Sequence, residues 1–320
     1  MPAEAILAAS PRAIGAVAGG VLAAGAAVAA YATAIEPHAF RIRTEQLRVL
    51  PAGARPITLL HLADIHLAPW QATKLDWLEG LATLEPDLIV NTGDSLGHRA
   101  ALPALADALR VFQGVPGFYV HGSNDVFGPV LKNPLRYFGG PSKLASAGDI
   151  ERLDTAGLER TFDDLGWLGL NNTARAIEVR GTTIAAFGVS DAHRHWDRLD
   201  ETEAAISRMR KALGDVPRVT LGVTHAPYRR ILDAFVDLGA DAILAGHTHG
   251  GQVRVPGGHA LVTNCDIPRE QASGLSSWSH DDRSVPLNVS QGIGSSIFAP
   301  FRLGTPPEAV VVSLLPRDIG

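Results

Sequence analysis

Five short hydrophobic runs punctuate the chain: 57–63, 87–92, 117–121, 218–224 and 241–245. Each is rich in β-branched and aliphatic residues, the pattern of buried strands, and each breaks off at side chains able to hold a metal ion. Between the first two, Leu75, Leu78, Leu81 and Leu84 recur at helical spacing and predict a helix over 72–84, giving a β-α-β unit. Residues 100–113 repeat that pattern, and further helices are predicted over 158–165, 201–213 and 228–238. Short strands are expected at 167–170, 176–179 and 183–187, an edge strand at 40–49, and a strand-rich tail from Gly251 to Pro316. Alternating β and α followed by a β-rich end predicts an α/β fold, a layered sandwich with helices outside two sheets.

One stretch departs from this pattern. Residues 13–35 carry no charge and consist mostly of Ala, Gly, Val, Leu and Ile. As a helix they would span roughly 34 Å, close to the hydrocarbon thickness of a bilayer. The expectation is an N-terminal transmembrane helix, residues 1–35, anchoring a domain of residues 36–320 in the cell membrane by a single pass. An uncleaved or cleaved secretory signal competes with it, since Ala30-Tyr31-Ala32 and Ala32-Thr33-Ala34 read as cleavage signals. Arg41, Arg43 and Arg48 after the segment outnumber Arg12 before it, a bias toward a cytoplasmic domain that leaves the side open. Residues 126–166 begin rich in Pro, Gly and Ser, and read either as a lid or recognition insertion or as a plain surface loop.

Composition narrows the chemistry. With 320 residues, 46% of them hydrophobic, the chain can build one substantial domain plus the appendage. A net charge of −5 argues against a general nucleic-acid binder, which would carry a strongly basic face. The single cysteine, Cys265, excludes an internal disulfide and a thiolate-rich zinc site.

The residues that close the strands are Asp64 and His66, Asp94, the stretch Gly122-Ser-Asn-Asp125, His225, and the pair His247 and His249 framed by glycines. Asp and His without thiolate suit Mn, Fe, Co, Ni or Zn rather than calcium. Seven ligands are too many for one open ion and about right for two divalent ions sharing a carboxylate. His61 reads as a packed core histidine, Asp191 as a turn residue, Trp70, Trp77 and Trp167 as core or rim, and Arg302 as a candidate contact to phosphate.

Asp64-x-His66, Gly93-Asp94, Gly122 to Asp125, His225 and Gly246-His247-x-His249 resemble, in order and spacing, the calcineurin-like metallophosphoesterase superfamily, over about residues 57–315. Gly246-His-Thr-His-Gly-Gly-Gln252, Glu36-Pro37 and Ser290-Gln-Gly-Ile-Gly-Ser295 look like its membrane-associated bacterial phosphodiesterase branch. The resemblance implies the αββα sandwich and two divalent metals (Mn, Fe or Zn). Asp64, His66 and His249 would hold one ion and His225 and His247 the other, with Asp94 as bridge and an Asn completing the second site. It implies hydrolysis of phosphodiester or pyrophosphate bonds by a hydroxide generated between the ions, and the anchor, which would hold the site near the bilayer, makes lipid-linked phosphates candidate substrates. The departure lies at 122–125. Aligned without a gap, Ser123 takes the family's metal-binding Asn position and Asn124 that of the proton-delivering His. The reading preferred here re-registers the loop so that Asn124 is the ligand, leaving His121, His193 or His195 as proton donor. The competing function is a catalytically impaired, metal-binding membrane protein acting as a scaffold.

Overall fold

The computed structural model describes residues 11–130, 150–254 and 258–318. Two six-stranded sheets carry the domain. The first contains β1 (Arg41–Leu50), β2 (Ile57–Leu62), β3 (Leu88–Asn91), β4 (Gly117–Tyr119), β5 (Trp167–Gly169) and β12 (Glu308–Pro316), in the order β1-β12-β2-β3-β4-β5. The second contains β6 (Thr173–Val179), β7 (Thr182–Gly188), β8 (Arg218–Thr224), β9 (Ala242–Ala245), β10 (Gly274–His280) and β11 (Arg283–Val289), in the order β10-β11-β9-β8-β7-β6. Strands β2, β3, β4 and β5 run parallel, as do β7, β8 and β9, so their C-terminal ends lie together within each sheet.

Strand alternation builds the layers. Leu59, Leu88, Val90, Phe118 and Val120 of one sheet meet Ile184, Val219, Leu221, Val223 and Leu244 of the other in a single buried cluster. The opposite faces carry Leu60, Leu62 and Ile89, packed beneath the helices α2 (Ala72–Gly80), α3 (Leu102–Leu109) and α4 (Thr155–Leu165). On the far side Phe187, Val189 and Ile243 pack beneath α5 (Leu199–Leu213) and α6 (Arg229–Asp237). Burial on both faces is why these strands read as continuous hydrophobic runs rather than as alternating ones. The result is the expected αββα sandwich, with Trp77 and Trp167 in the helix-side core and Trp70 exposed.

Several boundaries differ from expectation for local reasons. The helix expected over 72–84 is α-helical only to Gly80 and tightens to a 3₁₀ turn over Leu81–Leu84. Of the insertion expected at 126–166, residues 131–149 lie outside the described residues, while 155–165 is α4, whose Leu158 and Phe162 are buried in the core. The N-terminal helix α1 (Pro11–Ala30) widens into a π-turn at Tyr31–Ile35 and ends in a 3₁₀ turn at Glu36–His38, with Pro37 inside it.

That end is tied to the domain. The Arg302 amide donates to the Ala32 carbonyl at 2.8 Å, and the Glu36 carboxylate, only 2% exposed, accepts from the amides of Gly304 (3.0 Å) and Thr305 (2.5 Å). Removing that carboxylate strands two amide donors in a buried setting. Glu36→Ala is therefore expected to destabilise the detergent-solubilised full chain by about 1–3 kcal/mol, read as a lowered urea midpoint. An unchanged midpoint would show that the clamp carries no stability.

Candidate metal centre

The site is assembled where the parallel strands of both sheets end. Asp64 and His66 follow β2, Asp94 follows β3, residues 121–125 follow β4, His225 follows β8, and His247 and His249 follow β9. Crossed hydrogen bonds lash these loops together: the Asp64 amide donates to the Gly93 carbonyl, His66 to Asp94 (both 2.9 Å) and Gly246 to His225 (3.0 Å). Asp64, His66, Asp94, His247 and His249 all have positive φ, between 43° and 69°. Side chains rarely adopt that backbone, and its concentration here marks a geometry imposed by the site rather than by local preference. Gly93 turns at φ 94°, and a Cβ there would lie 2.4 Å from the Gly122 nitrogen, so only glycine lets these two loops meet.

The seven residues singled out in the sequence converge. Ligand atoms of Asp64, His66 and His249 lie within 4.8 Å of one another, as do those of Asp64, Asp94 and His225. His66 Nε2 and His225 Nε2 stand 3.4 and 3.5 Å from Asp94 Oδ2, His249 Nε2 stands 3.7 Å from Asp64 Oδ1, and His247 Nδ1 lies 3.2 Å from His225 Nε2. Two donors each ~2.0–2.2 Å from one ion sit roughly 3–3.7 Å apart, so these spacings suit shared metals. His66 Nε2 is buried and, among the described residues, has no hydrogen-bond partner, as a group reserved for a metal would be. Asn124 lies against Asp94, its amide nitrogens donating to Asp94 Oδ1 from the backbone (2.8 Å) and to Oδ2 from the side chain (2.6 Å).

Surrounding groups hold the histidines in orientation. His225 Nδ1 is 2.9 Å from the Thr92 carbonyl, which makes that nitrogen the donor and turns Nε2 toward Asp94. His247 Nε2 faces the Asn264 carbonyl at 3.4 Å, leaving Nδ1 toward the centre. His61 is fully buried and bridges Thr92 and Asn288. Asp125, also fully buried, accepts from the amides of Gly122, Asp94 and Ser95 and so joins the β3 and β4 loops.

Two residues escaped the sequence reading. Lys74 of α2 is buried and donates its Nζ to the Ile65 carbonyl at 2.9 Å, gripping the peptide that carries His66. The signal was a lysine one helical turn before Leu78, on the apolar stripe. The other is Asn288 of β11, which lies 2.9 Å from His61 Nδ1 behind the site. Three expected side chains are placed differently. His121 turns to Glu159 (3.2 Å) and Asp125 (3.8 Å), one carboxylate removed from the metal ligands. His195 is exposed, whereas His193 lies with its ring 4.8 Å from that of His247 and its Nδ1 2.9 Å from the Tyr228 hydroxyl. Arg302 is fully buried and donates to the carbonyls of Gln291, Gly292, Gly294 and Thr305, with an amino group 3.3 Å from His249 Nδ1. It braces a ligand from inside instead of facing solvent.

Electrostatics without an ion is unbalanced. Burial raises the Asp64 carboxyl to about 7, against the opposing pull of His225. For Asp94 burial also works upward, but the charges of His225 and His66 and the Asn124 hydrogen bonds prevail and hold it below the usual carboxylate range. Burial lowers His66 to about 4 and also depresses His247 and His249, which keeps these three neutral and ready to ligate. For His225 burial works downward, but Asp94, Asp191 and Asp64 outweigh it and lift the imidazole to about 9.

Residues 57–251 match the family model described as calcineurin-like phosphoesterase. The chain belongs to that family, whose members are phosphoric ester hydrolases that use divalent metals. It is 25% identical to the uncharacterized metallophosphoesterase YkoQ of Bacillus subtilis, with 83% of this chain and 86% of YkoQ covered. It is 28% identical to the uncharacterized protein YpbG of the same organism, with 93% and 96% covered. It is also 25% identical to a bovine transmembrane protein with a metallophosphoesterase domain, over 69% of this chain and 46% of that one.

Asp64 and His225 hold protons below their raised values and must release them to bind metal. Mn²⁺ binding is therefore expected to tighten as pH rises from about 6 to 9, with proton release largest at the acid end. Calorimetry in buffers of different ionisation enthalpy reads both, and pH-independent proton release would refute this charge assignment.

Proposed function

We propose that the protein is a membrane-anchored, dinuclear metal-dependent phosphoesterase acting on phosphodiester or pyrophosphate bonds, lipid-linked phosphates among its substrates. The observation that carries this reading is the convergence of Asp64, His66, Asp94, His225 and His249 at ligand spacing, with the buried His66 Nε2 3.4 Å from Asp94 and in no hydrogen bond among the described residues. Asp64, His66 and His249 would hold one ion, His225 and His247 the other, and Asp94 both, with Asn124 completing the second site. Asn124 suits that role because a half-turn of its amide exchanges nitrogen for oxygen toward the centre. Two ions held there would supply Lewis acidity toward the phosphoryl group and acidify water.

The chain's own residues do the rest. Asp94 is kept ionised by His225, His66 and Asn124, Asp125 holds its backbone amide, and Lys74 and Arg302 fix the backbone and ring positions of the first ion's ligands. Asn124 cannot deliver a proton to a leaving group. His121, raised to about 9 by Asp125 and Glu159 against the effect of its burial, is held as a cation on those carboxylates, a supporting part. We assign the donor role to His193, which flanks His247 and is oriented by Tyr228.

The anchor reading rests on the stretch Gly19–His38, long and apolar enough to cross a membrane, with Val21, Leu22 and Val28 exposed along it. That the bovine relative is a transmembrane protein supports it. The Gly122-Ser-Asn-Asp125 loop favours a second reading, a metal-binding but catalytically silent membrane scaffold.

Hydrolysis of bis-p-nitrophenyl phosphate and p-nitrophenyl phosphate by the full chain, metal-stripped and reloaded with Mn, Fe, Co or Zn, separates the two. Metal-restored turnover favouring the diester is expected, and bound metal without turnover of either ester would establish the scaffold. Asp94→Asn should cost more than about 100-fold in turnover and lower metal occupancy. Asn124→Ala should cost only about tenfold; equal small losses would overturn the shared-carboxylate assignment. His193→Ala should spare nitrophenyl esters and slow alkyl esters, whose leaving group needs the proton. Parallel losses on both would remove His193 from that role.

A further inference from the structure

Among the described residues Arg194 is a cation without an ion-pair partner, and it stands beside the metal centre. It closes the 3₁₀ turn Ala192–Arg194 that follows β7, directly after His193, whose ring lies 4.8 Å from that of His247. Its guanidinium carbon is 5.0 Å from the centre of the Phe127 ring. Phe127 is buried in the loop after β4, where its amide donates to the Ser123 carbonyl at 2.9 Å, one residue from the Asn124 that holds both oxygens of Asp94. Arg194 thus lies between two loops that each reach the centre. Fully buried Asp191 feels the charges of His225, Asp94 and Arg194 alike.

Neighbouring arginines are already engaged. Arg230 pairs with Asp197 at 2.7 Å, and Arg198 donates to the carbonyls of His195 and Asp197. Arg194 is half-buried, and its Nε is out of water with no hydrogen-bond partner among the described residues, a group that calls for an acceptor from outside. The guanidinium of exposed Arg152 lies 5.5 Å from the same ring centre, so like charges gather there. The loop that presents Arg194 is braced. The Asp191 side chain accepts from the His193 amide at 2.8 Å, and Asn172 accepts from the amides of Ser190 and Arg198, both at 2.9 Å, while donating to the Trp196 carbonyl. A cation held on fixed backbone is set for a ligand in one place.

A planar guanidinium fork matches phosphate oxygens. Hydrolysis of a disubstituted pyrophosphate consumes one water. The water oxygen bonds to one phosphorus, the bond from that phosphorus to the bridging oxygen breaks, and the bridging oxygen keeps the electron pair. Both water protons pass to the products or to solvent, and the departing phosphate monoester carries one more negative charge than it did in the substrate. Such a leaving group needs positive charge rather than a proton, which suits a centre whose Asn124 cannot deliver one.

We propose that Arg194, seated on Phe127 beside the metal centre, binds the second, departing phosphate of a pyrophosphate substrate and selects pyrophosphates over simple diesters. The proposal rests on the phosphoesterase reading and narrows it.

The test assays the metal-loaded full chain on two substrates that share a nucleoside, dithymidine pyrophosphate and the p-nitrophenyl ester of thymidine phosphate. Arg194→Gln is expected to lower kcat/KM for the pyrophosphate at least about 100-fold more than for the ester. Arg194→Lys, which keeps the charge and loses the fork, should recover part of that gap. Calorimetry with dimethyl methylenediphosphonate, whose P–C–P bridge cannot be split, should show binding at least about tenfold weaker in Arg194→Gln. Equal losses on both substrates, or an unaltered affinity for the diphosphonate, would overturn the assignment. Wild-type turnover of the ester with none of the pyrophosphate would overturn it while leaving the phosphoesterase standing. Turnover of neither, with metal bound, would overturn both.

Discussion

Two buried carboxylates govern the molecule. Asp64 and Asp94 are taken out of water at the junction of the two sheets, and burying a charge is tolerable only where opposing charges and hydrogen bonds surround it. Everything near them serves that end. Asn124 and the imidazoles of His66 and His225 face Asp94, the His247 amide donates to both oxygens of Asp64, and Asp125 holds the loops that would otherwise separate. Divalent cations bound there would complete the balance that the protein alone leaves unfinished, tying the folded shape of the loops to metal binding.

Much of this was legible in the chain because each ligand directly follows a strand. A parallel strand buried on both faces writes itself as an unbroken apolar run, and the residue that ends the run is delivered to the sheet's C-terminal edge. Asp64, Asp94, His225 and His247 could thus be placed by reading where the hydrophobic residues stop. The αββα layering followed from the helical leucines between the runs and from the β-rich tail.

What was not legible depends on contacts between distant segments. Nothing local in Glu36 announces that it will cap the amides of Gly304 and Thr305. Arg302 looks like a surface cation until the carbonyls of 291–294 close over it. His193 and His195 are two residues apart and equally polar, yet the turn capped by Asp191 buries one beside His247 and leaves the other, at φ 57°, in solvent. Lys74 is the intermediate case, betrayed by a charge on an apolar stripe but identifiable only once its carbonyl partners are known.

The strand order β1-β12-β2 has a further consequence, in the timing of folding. β12 pairs in parallel with β1 and antiparallel with β2, so the two N-terminal strands are joined only through a segment more than 240 residues later. During synthesis, the first sheet cannot close until the ribosome has nearly finished this domain. If α1 is already in the membrane by then, β1 waits beside it as an unpaired edge. The closely spaced charges of β1, Arg41, Arg43, Glu45 and Arg48, keep that waiting edge from pairing with another chain.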